Sequence, residues 1–391
     1  IGLGGLAATR LGGPNDWFLP DALEYAGAGP VAWKLGLREP GPPTVTGGTG
    51  TDGMVLVGGS DESDDRSLFA LSAASGHVEW RSAVAVAGAP IHEDGTVYAG
   101  SWDGEVHAVD AADGETQWSQ WVGRVTSTPT VDGDDVFVAA DGAVHALDVA
   151  TGDQRWETEE STVGSHATPA PSGDLVVIGG DDGSVFALSR SAGSVEWEFP
   201  TGGTRCTGAA VVDDTVYVGA NPGRGGEPGV VFALHLADGT ERWRFETPDD
   251  VGTAPTVTDG TLYVGSHDPV YYRGHVHAVD AAKGTEQWSV ETAGDVSSEP
   301  TVLEGAVYVT NPTAFPGADG DQRTSGGGLE QDYRTFDGRL SALDATTGRT
   351  FWTFDTGHRV TQPAVSDGTV VFGSGEADRL YAVDVAAAAR E

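Results

Sequence analysis

Lysine, cysteine and long apolar segments are almost absent from this sequence. Only two of the 21 basic residues are lysine, Lys34 and Lys283, against 59 acidic residues and a formal net charge of −38. A chain without a basic patch has no means of displacing the counterions of a nucleic acid or of binding an anionic membrane surface, so we expect neither partner. Cys206 is the single cysteine, which excludes an intramolecular disulfide. No apolar run approaches the roughly 20 residues of a transmembrane helix, so we expect no membrane-spanning segment.

The scarcity of lysine beside so much acid indicates the solvent in which the protein works. A dense carboxylate surface stays hydrated and soluble where salt screens its self-repulsion. This composition is typical of halophilic archaea, and we expect a protein of haloarchaeal type with an acidic surface. The alternative, an acidic protein of a low-salt organism, leaves the missing lysine unexplained.

Residues 1–29 are expected to lie outside the folded domain. The stretch IGLGGLAATRL is short, apolar and rich in small residues, and it resembles the end of an export signal; a glycine-rich irregular start is the alternative. Pro14 and Pro20 argue against a long helix in the segment that follows. We therefore expect an extracytoplasmic or cell-surface protein, with a cytoplasmic location as the alternative. Residues 30–386 are predicted to form one domain, followed by a short tail at 387–391.

The sequence is rich in one repeat, clearest in GEVHAVDAADGETQW at residues 104–118. Variants of it return at intervals of about forty residues, which is a period typical of repeat architectures. Each unit has four short alternating segments bounded by Gly and Asp, which predicts four antiparallel strands joined by tight turns. Eight tryptophans occupy the last segment of a unit: Trp33, Trp80, Trp118, Trp156, Trp197, Trp243, Trp288 and Trp352.

The first strands of the units also number eight, but the two series are out of phase at the ends of the chain. The region around Trp33 is a tryptophan strand with no strands before it, and residues 369–386 form a unit with no tryptophan strand. Circular closure resolves the mismatch, because the strand around Trp33 then completes the last sheet and removes its exposed edge. The sequence thus predicts an all-β ring of eight four-stranded antiparallel blades.

The motif A-x-D-x-x-T-G-x-x-x-W makes this prediction more specific. It is present at Ala146, Asp148, Thr151, Gly152 and Trp156, and again at residues 342–352. It resembles the tryptophan-docking repeat of PQQ-like eight-bladed β-propellers, the family of the quinoprotein dehydrogenases and of BamB, a propeller of outer-membrane protein assembly. The resemblance covers residues 30–386. It implies the fold more strongly than the function, because the same fold carries both enzymes and scaffolds.

The resemblance also implies a structural role for the eight tryptophans. Each indole is expected to lie flat in the wedge between neighbouring blades, where alanine and glycine leave room, and to contribute about 3 kcal/mol by burial. Three histidines, His107, His145 and His277, recur on the third strand. Other blades have phenylalanine, tyrosine or serine there, so we interpret these histidines as half-buried structural residues.

Two features point to a binding surface. The connections between second and third strands are long at residues 60–67, 221–229, 267–274 and 311–338, and they emerge on the same face as the connections between blades. Polar residues also alternate before the first strands and predict a hydrated channel lining. The sharper alternative is a small ligand at the channel mouth, covered by a loop of blade 6. Its candidate residues are Arg124, His166, Asp295, Glu299, His358, Tyr271, Tyr272 and Arg273.

The functional expectation is a non-catalytic binding or scaffold propeller that presents one loop-rich face to an unknown protein or cell-surface polymer. We expect a monomer and assign no catalytic residue. His267, Asp268 and His275 match no established metal motif, so we expect no metal site. The alternatives are a small-ligand or metal-binding propeller and a dehydrogenase that uses PQQ with calcium. Dehydrogenases of that kind place adjacent cysteines against the quinone, whereas Cys206 stands alone.

Overall fold

The computed structural model is an all-β ring. It describes residues 31–47, 53–61, 65–125, 127–158, 167–221, 228–268, 273–292, 294–296, 298–311, 338–356, 359–366, 368–375 and 378–385. The expectations for residues 1–29 and for the tail at 387–391 therefore lie outside the described residues.

Eight antiparallel sheets form the blades; seven have four strands, and that of blade 6 has a short fifth strand. The strands of blades 1 and 2 are Thr44–Thr46, Met54–Ser60, Arg66–Ser72 and Val78–Ser82, then Ile91–Glu93, Thr96–Gly100, Glu105–Asp110 and Thr116–Trp121. Those of blades 3 and 4 are Thr130–Asp132, Asp135–Ala140, Ala143–Asp148 and Gln154–Glu157, then Ala170–Ser172, Leu175–Gly179, Ser184–Ser189 and Val195–Pro200.

The second half of the ring repeats this arrangement. The strands of blades 5 and 6 are Arg205–Val212, Thr215–Asn221, Gly229–His235 and Glu241–Thr247, then Thr256–Thr258, Thr261–His267, Gly274–Asp280 and Glu286–Thr292, with an added short strand, Asp250–Val251. Those of blades 7 and 8 are Thr301–Leu303, Ala306–Asn311, Arg339–Asp344 and Thr350–Asp355, then Ala364–Ser366, Thr369–Ser374, Arg379–Asp384 and Val31–Gly36.

The last blade confirms the predicted closure. Val31–Gly36 pairs with Arg379–Asp384 in antiparallel register, with Trp33 opposite Ala382. First strands of neighbouring blades contact one another all the way round, including blade 8 against blade 1. The described chain therefore forms a closed eight-bladed propeller in which every blade packs against a neighbour on each side.

Tight turns set the register of each blade. At the first hairpin of blade 2, Asp94 and Gly95 both have positive φ, of 45° and 79°. Two consecutive positive φ angles define a type I′ turn, whose twist matches that of the flanking strands, and Asp-Gly is a sequence that adopts it readily. Asp259 and Gly260 have the same pair of positive φ angles at the first hairpin of blade 6, so both Asp-Gly pairs close hairpins on the face opposite the long loops.

The docked tryptophans connect each blade to the next. Trp80 of blade 1 is 8% exposed, and its Nε1–H donates to the Ala111 carbonyl of blade 2 at 2.8 Å. A Cβ on Gly114, whose φ is +78°, would lie 2.6 Å from the indole, so only glycine fits that position. Equivalent bonds at 2.7 to 3.1 Å are made by Trp33, Trp118, Trp156, Trp197, Trp243 and Trp288. Trp352 is buried among apolar residues of blades 7 and 8.

The hydrophobic core is divided in the same way. In the described residues it consists of eight clusters, one at each junction between neighbouring blades. The second and third strands supply most of the buried side chains, while the fourth strands expose alternate residues on the outside of the ring. The wedge between blades is therefore where burial stabilises the fold.

Candidate functional site

The loop-rich face is formed by the connections between second and third strands together with those between blades. Most of the predicted insertions lie outside the described residues, and so do four of the predicted ligand-binding residues, His166, Tyr271, Tyr272 and His358. The described part of this face is most complete around blades 1 to 3.

The two predicted arginines both contact other side chains of the protein. Arg124 is exposed, and its guanidinium lies 6.0 Å from the centre of the Trp102 ring, on the rim of blade 2. Its backbone N–H donates to Asp141 Oδ2 at 3.1 Å. Arg273 forms an ion pair with Glu291 at 3.0 Å, with both side chains more than half exposed. Arg124 thus lies beside an aromatic ring, and Arg273 is engaged by an acid of its own blade.

Glu299 lies in the central channel. A carboxylate oxygen of Glu299 is 4.0 Å from the position that a Cβ on Gly208 would occupy, although the two residues belong to blades 7 and 5. Burial raises the pKa of the Glu299 carboxyl, while a hydrogen bond with Gln362 opposes the shift. The inner strands thus converge closely enough to bury this acid between them.

Asp295 precedes the first strand of blade 7 in a different setting. Its Oδ1 is buried and has no hydrogen-bond partner in the described part of the chain. Burial raises the pKa of the Asp295 carboxyl, and nearby His267 opposes that shift. The described members of the predicted ligand site therefore have different surroundings: Arg124 and Arg273 are exposed, whereas Glu299 and Asp295 are partly buried acids.

An exposed aromatic cluster was missed at the sequence level. Trp102 and Trp121 of blade 2 are 45% and 65% exposed, and both lie on the loop-rich face. The guanidinium of Arg66 lies 5.5 Å from the Trp102 ring centre, and Arg124 approaches the same ring. We call Arg66, Trp102, Trp121 and Arg124 the aromatic–arginine patch. The available signal was register: of the 11 tryptophans, eight occupy docking positions, and Trp17, Trp102 and Trp121 do not.

A second cluster lies beside this patch, on the second hairpin of blade 2. Ligand-type atoms of Asp103, Glu105 and His107 all lie within 4.8 Å of one another. His107 is 9% exposed, and neither of its ring nitrogens has a hydrogen-bond partner among the described residues. Burial lowers the pKa of His107 below its ordinary 6.5, with Glu105 and Asp103 acting in the opposite direction. The imidazole is therefore held neutral in a buried position next to two carboxylates.

The other residues that could bind a metal or act as a nucleophile, His275, Asp268 and Cys206, have different surroundings. His275 Nδ1 lies 2.8 Å from Asp249 Oδ2, and the N–H of Asp268 donates to the Arg273 carbonyl at 2.6 Å. Burial raises the pKa of the Cys206 thiol to about 12. A thiol with so high a pKa is a poor nucleophile, because the thiolate is the reactive form.

A closed ring of eight four-stranded blades, held by indoles that bond to the next blade, defines a tryptophan-docked β-propeller. A family model described as "Outer membrane protein assembly factor BamB" matches residues 24–123, 119–231 and 227–386. The chain belongs to this family. No curated protein matches the sequence at a significant level.

Solved structures share the fold at low sequence identity. The designed protein Ika8 is 16% identical with a TM-score of 0.67, over 92% of this chain and 100% of Ika8. BamB from Moraxella catarrhalis is 16% identical with a TM-score of 0.60, over 89% of this chain and 95% of that one. Quinohemoprotein alcohol dehydrogenase from Comamonas testosteroni is 15% identical with a TM-score of 0.62, over 91% and 76%.

Within the described residues, no helix combines the length and apolarity required to cross a membrane.

Proposed function

We propose that this propeller is a non-catalytic binding or scaffold protein that works outside the cytoplasm at high salt and presents its loop-rich face to a protein partner. The observation that carries the proposal is the aromatic–arginine patch on that face. Tryptophan and arginine are enriched among the residues that dominate binding energy at protein interfaces. An indole that is 65% exposed, as in Trp121, gains apolar burial when a partner covers it.

The charge of the chain makes the patch more selective. The net charge is −38, so two arginines and two exposed indoles stand out in a surface that is otherwise acidic. Arg66 also pairs with Glu39, which holds its guanidinium near Trp102. Such a surface suits a partner segment that carries aromatic and acidic side chains. The family name, which refers to an assembly factor, supports a protein partner over a polymer.

The dehydrogenase alternative has less support from the same residues. Its solved relatives are only 15% identical, which indicates a shared fold alone. PQQ carries several carboxylates and needs cationic or metal-assisted binding. Among the described candidate residues, Glu299 and Asp295 are acids whose pKa values are raised by burial, and the guanidinium groups of Arg124 and Arg273 are engaged by Trp102 and Glu291. These residues are a poor fit for PQQ, and we derive no reaction step through it.

Site-specific photocrosslinking in the native host tests the proposal. A photoreactive phenylalanine analogue would replace Trp121 in one variant and Phe351 in a matched control. Phe351 is 43% exposed and lies near the start of the fourth strand of blade 7, towards the opposite face. We expect a discrete protein adduct from position 121 and none from 351. Equal adducts from both positions, or no adduct from 121, would contradict the proposal.

A second measurement separates a scaffold from an enzyme. The purified protein would be incubated with PQQ and calcium at molar salt, and dye reduction would be followed with alcohols and sugars. We expect no reduction above a control without quinone. Quinone-dependent reduction would replace the scaffold function with a dehydrogenase.

A further inference from the structure

We propose that Asp103, Glu105 and His107 bind a divalent transition-metal ion such as Zn²⁺ on the loop-rich face of blade 2. The inference rests on the arrangement of these three side chains and does not depend on the proposed function. It differs from the sequence-based expectation, which assigned no metal and interpreted His107 as a packing residue.

The backbone places the three side chains together. Glu105 and His107 are alternate residues of the strand Glu105–Asp110, so both project from the same side of the sheet. Asp103 lies in the turn that precedes this strand, where it accepts a hydrogen bond from Ser101. One hairpin thus supplies all three groups, and no distant segment has to move to assemble them.

The distances suit metal coordination. Bonds of about 2.1 Å to a tetrahedral ion hold two ligand atoms about 3.4 Å apart. Glu105 Oε2 and His107 Nε2 are 3.5 Å apart, which matches this spacing. Asp103 completes the group, since one of its carboxylate oxygens lies within 4.8 Å of the other two ligand atoms.

His107 provides the second, independent observation. It is 9% exposed, and both ring nitrogens are buried without a hydrogen-bond partner in the described structure. Leaving a buried polar group unsatisfied costs about 1–3 kcal/mol. A metal ion bound to Nε2 would satisfy one of these nitrogens. This would explain why the buried imidazole has no hydrogen-bond partner among the described residues.

The equivalent histidines of blades 3 and 6 are satisfied within the protein. His145 Nδ1 lies 3.2 Å from Gln154 Oε1, and His277 Nδ1 lies 3.2 Å from Glu286 Oε2. Ser266 Oγ lies 3.3 Å from the other nitrogen of His277. Each of the two partners, Gln154 and Glu286, stands two residues before a docked tryptophan. In blade 2 that position is Thr116, whose side chain is too short to reach the ring.

Blade 4 shows that the aspartate of this turn can have a structural role without a metal site. Its turn has Asp182 at the place of Asp103, and Asp182 accepts a hydrogen bond from the N–H of Ser184 at 2.9 Å. The positions of Glu105 and His107 are there occupied by Ser184 and Phe186. An aspartate in this turn therefore needs neither a glutamate nor a histidine beside it, and within the described residues blade 2 alone combines all three.

The donor set indicates the type of ion. One imidazole nitrogen with two carboxylates suits Zn²⁺ or Mn²⁺, whereas Ca²⁺ and Mg²⁺ prefer oxygen ligands throughout. Three protein ligands leave at least one coordination position for water or for a group supplied from outside. That position opens next to Trp102, on the face where the aromatic–arginine patch lies.

Zn²⁺ titration of the full chain tests the proposal, after chelator treatment and in molar sodium chloride. High salt screens weak binding to the acidic surface. Calorimetry is expected to show one ion per chain, with a rise in melting temperature. Glu105→Gln and His107→Phe should each weaken binding by about tenfold or more, since even outer-shell changes at such sites have effects of that size. Asp182→Asn is the matched control and should bind as the wild type does.

The spectrum of bound Co²⁺ gives a readout independent of stability. Wild-type protein should show visible d–d bands that His107→Phe abolishes and Asp182→Asn retains. The variant His107→Phe is expected to fold, because phenylalanine fills this position in blades 1, 4 and 5. Binding that is unchanged in Glu105→Gln and His107→Phe, or absent from the wild type, would overturn the proposal.

Discussion

The histidines of blades 2, 3 and 6 occupy the same place in the repeat but have different surroundings. His145 and His277 bond to side chains of their own blades, at 3.2 Å in each case. His107 is buried to a similar degree and has no hydrogen-bond partner among the residues described. The repeat therefore explains why a bulky residue stands at this position, and the neighbours decide whether it only packs or is also available as a ligand.

The largest expected effect on stability comes from removing a docked tryptophan, because the docked tryptophans hold the blades in the common geometry that allows the three histidines to be compared. Trp156→Ala in blade 3 removes an indole that is 9% exposed and bonds to the Arg190 carbonyl at 2.7 Å. We expect the free energy of unfolding to fall by about 3–5 kcal/mol, because a large buried aromatic group leaves a cavity. Denaturant unfolding at molar salt measures this loss. An unchanged unfolding midpoint would mean that the docking geometry is wrong.

Replacing each histidine by phenylalanine tests the comparison directly. In metal-free protein, His277→Phe should reduce stability by about 1–3 kcal/mol, because the buried hydroxyl of Ser266 loses its partner. His145→Phe breaks one bond to an exposed glutamine and should cost less. His107→Phe breaks no hydrogen bond of the described structure and should be neutral or stabilising. A loss in His107→Phe equal to that in His277→Phe would remove the distinction between the blades.

Supplying the missing partner should make blade 2 behave like blade 3. Thr116→Gln places an amide where Gln154 stands in the neighbouring repeat, within reach of His107 Nδ1. A new hydrogen bond of this kind contributes about 1 kcal/mol to the stability of the metal-free protein. Thr116→Ala is the control and should give no gain. Thermal unfolding of the two variants in chelator compares them, and an equal response would show that the introduced amide does not reach the ring.

The smallest effect is a pH dependence at His277. Burial lowers the pKa of His277 below its ordinary 6.5, although Glu286 acts in the opposite direction. The unfolded state therefore takes up the proton first, and stability present above pH 6.5 is lost as the pH falls towards the folded-state pKa. His277→Phe should be less stable than the wild type at pH 8, by a margin that shrinks at pH 5. Phe186→Leu, a change without a titrating group, should show a constant margin; a margin for His277→Phe that stays constant would contradict the shift.

The fold was predictable because the signal repeats. Eight tryptophans in register, with a glycine four residues before most of them, indicate the number of blades, and the phase difference between the two ends of the repeat series indicates the closure. These features depend on local turns and on contacts between neighbouring units, which a periodic sequence specifies many times.

The candidate sites were less predictable, because they depend on departures from the repeat. The polar alternation before the first strands singled out Arg124, but it gave no sign that the guanidinium would lie beside the Trp102 ring. His107 resembled His145 and His277 in sequence. The difference comes from Thr116 on the neighbouring strand and from two acids, Asp103 in the turn and Glu105 at the start of the next strand. Only the folded hairpin brings these acids next to His107.

The closure of blade 8 also has a consequence for how the molecule is built. Val31–Gly36 pairs with Arg379–Asp384. The first of these strands is synthesised before the seven other blades and the second after them, so the two cannot pair until the whole ring has been made. Until then, blade 8 lacks its outer strand, and the early strand is an unpaired edge open to other chains. Pairing at such sequence separation slows folding more than it reduces stability. We therefore expect the pairing of this one strand with the other three strands of blade 8 to come late in folding and to join the two ends of the ring.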